Sequence, residues 1–145
     1  MRKLLALAAV ALLILGTGCA TMFGQDKQKV VYHINYNDET QLKAALGNVK
    51  NHISAVGQDK IDVKVVMHGN GVDLLKIANT DPNMQQRVIS LKQDGVAFEV
   101  CNNTLVNKKI SYKNDLFDVS EKDIVPSGVA EIARLQQQGY VYIKP

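Results

Sequence analysis

Five short segments rich in β-branched residues alternate with segments of helical periodicity, and this alternation restricts the possible folds more than any other feature. The β-type segments are residues 29–34, 61–68, 96–101, 123–125 and 140–143. Strands that alternate with helices form a parallel sheet with helices on both faces. Because crossover connections between parallel strands are right-handed, few topologies remain. We therefore predict one three-layer α/β/α domain with a mostly parallel sheet.

The first helical segment shows the expected apolar stripe. Asn37 or Asp38 can cap its start and Gly57 ends it. Apolar residues recur between them at steps of three and four, which is typical of an amphipathic helix. Further helices are predicted from Pro82 to Gly95 and at residues 72–78, 105–110 and 129–138, with Asn102, Asn103 and Thr104 capping the helix at 105–110.

The amino terminus has the three zones of an export signal. Arg2 and Lys3 precede 12 apolar residues at positions 4–15, and small residues surround Cys19. Twelve apolar residues are too few to span a bilayer, which takes about 20, but they suit a cleavable signal. The segment resembles a bacterial lipoprotein signal with lipid attachment at Cys19. Cleavage after Ala20 and an uncleaved anchor are the alternatives.

These zones give the predicted organisation of the chain. Residues 1–19 are predicted to be a signal peptide of lipoprotein type, residues 20–28 a tether, and residues 29–145 a single domain. The mature protein is therefore expected in the periplasm, in contact with the membrane only through its signal or lipid anchor.

Charge and composition exclude a nucleic-acid partner. The chain has 17 Lys+Arg against 14 Asp+Glu, but without Arg2 and Lys3 the basic count falls to 15. A nearly neutral domain without tryptophan has neither the charge for a phosphate backbone nor the aromatic surface for bases. Once Cys19 is set aside, Cys101 is the one cysteine left, so an internal disulfide is excluded.

Three predicted strands end in residues that suit a binding site. Their following loops begin at His68, Cys101 and Pro126, and each leads into a predicted helix. Ligands of parallel α/β proteins bind beyond the carboxyl ends of the strands, and helix starts favour anions. The predicted ligand-binding residues of the three loops are Asn70, Gly71, Asn102, Asn103 and Ser127.

Cys101 and His68 are the candidate catalytic residues. A thiol at a helix start is stabilised as the reactive thiolate, and His68 could act as a base if the two strands are neighbours. The alternatives are a small buried cysteine and a strand-end histidine bonded to a carbonyl. His33 and His52 are interpreted as structural. The three histidines lack metal-ligand spacing, so neither a metal nor a cofactor is predicted.

The three loops and their surroundings resemble the DsrE/DsrF-like family of small sulfur-metabolism proteins. The similarity is carried by residues 66–72, 95–105, 125–132 and 139–145, and it covers about residues 30–145. It implies a five-stranded parallel sheet between helices and assembly into trimers or hexamers. It also implies a persulfide held on Cys101, surrounded by His68, Asn70 and Asn102, and passed to a sulfur-relay partner.

The predictions leave three functions open. In the first, the protein is a sulfur carrier or sulfurtransferase-like protein that uses Cys101 as persulfide acceptor. Alternatively, it is a non-catalytic envelope protein in which Cys101 is structural and the same loops bind a small anion or a partner. The third possibility is an oligomeric module without a small ligand.

Overall fold

The computed structural model describes residues 27–145, which form five strands and six helices. The strands are β1 (Gln28–Ile34), β2 (Ile61–Met67), β3 (Ala97–Cys101), β4 (Ile124–Val125) and β5 (Val141–Ile143). The helices are α1 (Glu39–Val56), α2 (Asp73–Ala78), α3 (Pro82–Gln93), α4 (Asn102–Lys108), α5 (Tyr112–Asp115) and α6 (Gly128–Gln137). The predicted signal peptide and most of the predicted tether lie outside the described residues.

The sheet confirms the predicted three-layer α/β/α architecture. Its strand order is β4-β3-β2-β1-β5, and every neighbouring pair is parallel. All five carboxyl ends therefore lie along one edge, where the three candidate loops begin. Within residues 27–145 no helix is long and apolar enough to cross a membrane.

Several predicted helix and strand bounds differ from the structure, α5 is not among the predicted helices, and the difference at the start of α4 bears on the site. Helix α4 begins directly at Asn102, with Cys101 as its N-cap, whereas the prediction used residues 102–104 as a cap before position 105. The side chain of Thr104 makes a different hydrogen bond, to the loop after β2. Thr104 therefore lies in the first turn of α4, close to the carboxyl ends of β2 and β3.

The main core lies on the face of the sheet that packs against α1, α2 and α3. Asp38 caps α1 by accepting a hydrogen bond from the backbone N–H of Gln41, and Asp81 caps α3 in the same way. The stripe predicted on α1 is confirmed because its apolar residues are buried against the strands. Fully buried members of this core include Ile34, Leu42, Leu46, Met67, Leu74, Leu75, Met84 and Leu91.

The opposite face of the sheet carries a much smaller core under α6. Alternation along β1 and β2 turns Val31 and Val66 to this side, where they pack with α6 and the residue before β5. The helix residues in this cluster are Ile132 and Leu135. His33 follows the same alternation as Val31, so it also lies on the α6 side.

A buried polar cluster sits beside this second core. Lys64 of β2 pairs with Glu99 of β3 at 3.1 Å, and Arg134 of α6 donates to Glu131 on the same helix. The second carboxyl oxygen of Glu99 is buried without a hydrogen-bond partner among the described residues. Tyr140 closes the cluster by donating to Asp62 at 2.5 Å.

The pKa values of the two carboxyl groups in this cluster, Glu99 and Glu131, are shifted in opposite directions. Burial raises the pKa of Glu99, and the nearby Glu131 adds to that effect while Lys64 opposes it. The hydrogen bonds from Arg134 lower the pKa of Glu131, and the contact with Glu99 lowers it further. Of the two carboxyl groups, Glu99 therefore binds a proton more readily than Glu131 does.

A tight turn after β2 joins the ends of β1 and β2. The carbonyl of Ile34 accepts a hydrogen bond from the N–H of His68 at 3.2 Å, and Gly71 donates back to the His68 carbonyl at 3.0 Å. Gly71 is buried so closely against Ile34 that a Cβ at this position would overlap the Ile34 carbonyl group. Glycine is required here because no side-chain atom fits.

Candidate functional site

Cys101 is the last residue of β3 and lies at the edge where the strands end. It is buried, with 5% of its surface exposed, and it is a free cysteine. Strand β3 lies between β2 and β4, so the loops that follow both neighbours reach the thiol. Burial agrees with the structural interpretation of Cys101, and the polar groups around the sulfur decide what else it can do.

Several hydrogen-bond donors converge on the Cys101 sulfur. Burial opposes the thiolate, but the Thr104 hydroxyl and the backbone N–H groups of Gly128, Thr104 and Asn103 donate to it, and the net effect lowers the pKa of Cys101. The Thr104 oxygen accepts a hydrogen bond from the N–H of Gly69 at 2.9 Å. Because the N–H of Gly69 occupies only an acceptor site of this oxygen, the hydroxyl proton remains available to the sulfur. The surroundings of Cys101 therefore favour the thiolate more than a purely apolar packing position would.

Replacing Thr104 by valine is expected to make Cys101 less reactive. The variant loses one hydrogen bond to the thiolate, so the pKa of Cys101 rises and the rate of alkylation by iodoacetamide at neutral pH falls about tenfold. Thr104→Ser keeps the hydroxyl and is the matched control, expected to react like the wild type. Identical pH profiles of alkylation for Thr104→Val and the wild type would contradict the assignment.

His68 lies directly beside Cys101, as the sequence predicted for neighbouring strands. Met67 of β2 pairs with Val100 of β3, so the next residues of the two strands are also neighbours. Gly128 at the start of α6 packs against both of them. A Cβ at Gly128 would lie 3.0 Å from the His68 Cβ and 3.3 Å from the Cys101 Cβ. The three predicted loops therefore meet at one point.

His33, which is predicted to be structural, lies in contact with His68 at this site. Its Nε2 lies 2.7 Å from the Nε2 of His68, and the two rings stack with centroids 4.7 Å apart. Its Nδ1 lies 2.7 Å from the hydroxyl of Tyr142 on β5. The signal that could have identified His33 is its place at the end of its strand, on the α6 face.

Both histidines of this pair are held neutral. Burial lowers the pKa of His33 to about 4, with further contributions from the nearby His68 and Lys144. Burial also lowers the pKa of His68, again with help from Lys144. Neutral imidazoles can accept and donate protons at neutral pH, so the pair suits acid–base chemistry beside the thiol.

The predicted ligand-binding residues take several positions around the thiol. Asn70 is exposed and its side-chain oxygen accepts a hydrogen bond from Lys108 at 2.7 Å. Asn102 and Asn103 are exposed in the first turn of α4, and the backbone of Asn103 faces the sulfur. Gly71 is buried in the turn described above. Ser127 caps α6, where its hydroxyl accepts from the N–H of Ala130.

The remaining histidine lies away from this site. His52 of α1 bonds through Nδ1 to the hydroxyl of the buried Tyr32 at 2.9 Å, on the opposite face of the sheet. Across residues 27–145, no group of three or more His, Cys, Asp or Glu side chains is arranged to hold a metal ion.

The fold and the site together define a class of small parallel α/β proteins in which a cysteine with a lowered pKa lies at the end of a central strand. The sequence profile of the DsrE/DsrF-like family matches residues 28–145. The chain belongs to the DsrE/DsrF-like family.

Two solved structures share this fold. The chain is 30% identical to MTH1491 from Methanobacterium thermoautotrophicum, a protein of unknown function, with a TM-score of 0.69 over 82% of this chain and 100% of that one. It is 17% identical to the ychN protein from E. coli, with a TM-score of 0.65 over 81% of this chain and 99% of that one; this likeness concerns the fold alone. Curated proteins include no significant match to the chain.

Proposed function

We propose that the protein is a sulfur carrier or sulfurtransferase-like protein in which Cys101 accepts sulfane sulfur as a persulfide. The observation that carries the proposal is the set of donors around the sulfur, from Thr104, Gly128 and Asn103, which favours a thiolate in spite of burial. A thiolate is the form that attacks sulfur. The same donors suit the persulfide anion that the reaction leaves behind.

The other residues of the site divide the remaining tasks. His68, neutral and adjacent to Cys101, takes up the thiol proton when the sulfur donor arrives. The side chains of Asn70, Asn102 and Asn103 are exposed on two of the loops that meet near Cys101, and they contact the donor or the relay partner. Since Cys101 is 5% exposed, small donors such as thiosulfate or polysulfide are favoured over large ones.

We also propose that this chemistry takes place in the periplasm, with the domain held to the membrane by a lipid on Cys19. The support is the sequence of residues 1–20, with its basic start, its apolar run and its small residues around the cysteine. Intact mass of the mature protein from its native host tests the proposal, since it reports the cleavage site and the lipid together. A chain that begins after Ala20 and carries no lipid would contradict the anchor.

The proposed reaction predicts sulfur uptake on one residue. Native protein treated with thiosulfate or polysulfide is expected to gain about 32 Da, the mass of one sulfur atom, on Cys101. The gain is expected to be lost on reduction and absent from Cys101→Ser. Mass spectrometry of the intact protein and of its peptides makes the measurement. A native protein whose Cys101 alkylates with iodoacetamide but takes up no sulfur would contradict the proposal.

A second candidate function is the binding of a partner at the same edge without catalysis. Three large apolar side chains are exposed near α6 and β5, namely Val129 at 63%, Val141 at 58% and Tyr142 at 39%. Such residues are typical of a protein contact. In this alternative Cys101 is structural and the partner is a second copy in a trimer or hexamer. A monomer in sedimentation at micromolar concentration would contradict it.

A further inference from the structure

A continuous hydrogen-bonded chain of three side chains runs from the solvent to the neighbour of Cys101. It begins at the hydroxyl of Tyr142, a residue 39% exposed on the edge strand β5. The hydroxyl lies 2.7 Å from Nδ1 of His33, and Nε2 of His33 lies 2.7 Å from Nε2 of His68. Three strands, β5, β1 and β2, are needed to place these groups in line.

The proton count in this chain allows two arrangements. Each histidine is neutral and carries one proton, and a single proton occupies the bond between the two Nε2 atoms. In the first arrangement His68 donates to His33, which donates through Nδ1 to Tyr142, and Nδ1 of His68 is bare. In the second arrangement the Tyr142 hydroxyl donates to His33, His33 donates to His68, and the proton of His68 is on Nδ1.

The conversion of the first arrangement into the second transports one proton. A proton enters at the bare Nδ1 of His68, the proton on its Nε2 passes to His33, and the proton on Nδ1 of His33 passes to the Tyr142 oxygen. The original hydroxyl proton of Tyr142 leaves to water. Each imidazole ring gains a proton on one nitrogen and loses a proton from the other, so no charge remains on the buried pair.

We propose that Tyr142 and His33 form a proton relay that carries the thiol proton of Cys101 through His68 to solvent. The relay rests on the proposed function, because it serves the formation of the persulfide. With thiosulfate, the thiolate bonds to the outer sulfur, the sulfur–sulfur bond of thiosulfate breaks, and its electron pair leaves with sulfite. The thiolate and thiosulfate become the persulfide anion and sulfite, and no external oxidant is needed.

The described residues contain a second Tyr–His pair that provides a matched control. Tyr32 and His52 form an equivalent hydroxyl–Nδ1 hydrogen bond on the opposite face of the sheet, away from Cys101. Removing the hydroxyl of Tyr32 therefore breaks a tyrosine–histidine hydrogen bond but leaves Tyr142, His33 and His68 unchanged. His33 and Tyr142 act through His68 and are positioning residues, so their loss changes the transfer of the proton and leaves the donors to the sulfur in place.

Single-turnover sulfur uptake from thiosulfate, measured against pH, tests the relay. Below the pKa of the thiol, uptake is expected to slow about tenfold in Tyr142→Phe and about 100-fold in His33→Phe, the lower end of the contribution of a positioned acid–base group. The pH profile of Cys101 alkylation is expected to remain that of the wild type. Tyr32→Phe is expected to take up sulfur at the wild-type rate.

Nitrogen-15 NMR of the imidazoles adds a readout that does not depend on sulfur. The His68 nitrogens are expected to show shifts averaged between two tautomers in the wild type and those of one tautomer in His33→Phe. Normal uptake in both relay variants would overturn the relay and leave the proposed function intact. A wild-type protein that takes up no sulfur would overturn both.

Discussion

Substitution of Gly71 by alanine is expected to lower the free energy of unfolding by about 4 kcal/mol or more, the range reserved for severe backbone or core defects. The added Cβ would overlap the carbonyl of Ile34, so the end of β1 or the turn after β2 must move. The hydrogen bond from the N–H of His68 to that carbonyl is lost with the movement. Because this turn also sets the distance between His33 and His68, the residual folded protein is expected to lose the stacking of their rings.

Alanine substitutions at two other glycines serve as controls, because they remove a glycine without creating a steric overlap. Gly69 lies in the same turn at φ +57° with open space around its Cβ position, so Gly69→Ala is expected to cost only about 1–2 kcal/mol for the left-handed backbone. Gly47 lies inside α1 with nothing near its Cβ position, so Gly47→Ala is expected to gain about 0.5–1 kcal/mol. Urea denaturation of the three variants makes the comparison. A Gly71→Ala protein as stable as Gly69→Ala would refute the close approach.

The buried carboxyl pair is expected to give the folded protein a stability maximum in mildly acidic solution. The pKa of Glu99 is raised by folding, so its contribution is complete at low pH and is lost as pH rises through the folded value. The pKa of Glu131 is lowered by folding, so its contribution is complete at higher pH and is lost as pH falls through its folded value. Stability is therefore highest between these two folded values, where the pair holds one proton.

Glu99→Gln is expected to remove the decline on the alkaline side of this maximum. The glutamine amide is neutral at every pH, so it never places a second negative charge beside the Glu131 carboxylate. At pH 8 the variant is expected to be about 1–3 kcal/mol more stable than the wild type, the cost of a buried unsatisfied polar group. Denaturation midpoints between pH 4 and about pH 8 measure the effect. Glu121→Gln, at an exposed carboxyl, is the control, and parallel pH curves for the wild type and Glu99→Gln would contradict the raised pKa of Glu99.

Periodicity in the sequence predicted most of the fold because local pattern and tertiary packing agree in this chain. The alternation of β-type and helical segments led to the parallel sheet, and the stripe on α1 led to its buried face. The largest boundary error is at the start of α4, where Asn102, Asn103 and Thr104 were interpreted as a cap, and the short helix α5 was not predicted. Sequence preferences for capping do not show that the chain enters a helix directly from Cys101.

The site was predicted in part, and its missing members depend on strand order. His68 and Cys101 were both identified, and the structure brings them together because β2 and β3 are neighbours. His33 and Tyr142 lie near them only because β1 is between β2 and β5 in the sheet, and the periodicity of the sequence does not predict this strand order. The role of Thr104 likewise depends on a hydrogen bond to Gly69, 35 residues away in the chain.

The single direction of all five strands gives the domain two chemically different poles. Strand β1 starts at one pole and its seven residues carry the chain roughly 20 Å, at the rise of an extended strand, to the pole where the thiol lies. A lipid on Cys19 would attach through the starting pole, on the side away from Cys101. A sulfur donor or relay protein that binds the proposed site therefore contacts the loops at the carboxyl ends of the strands and not the pole where the chain enters β1.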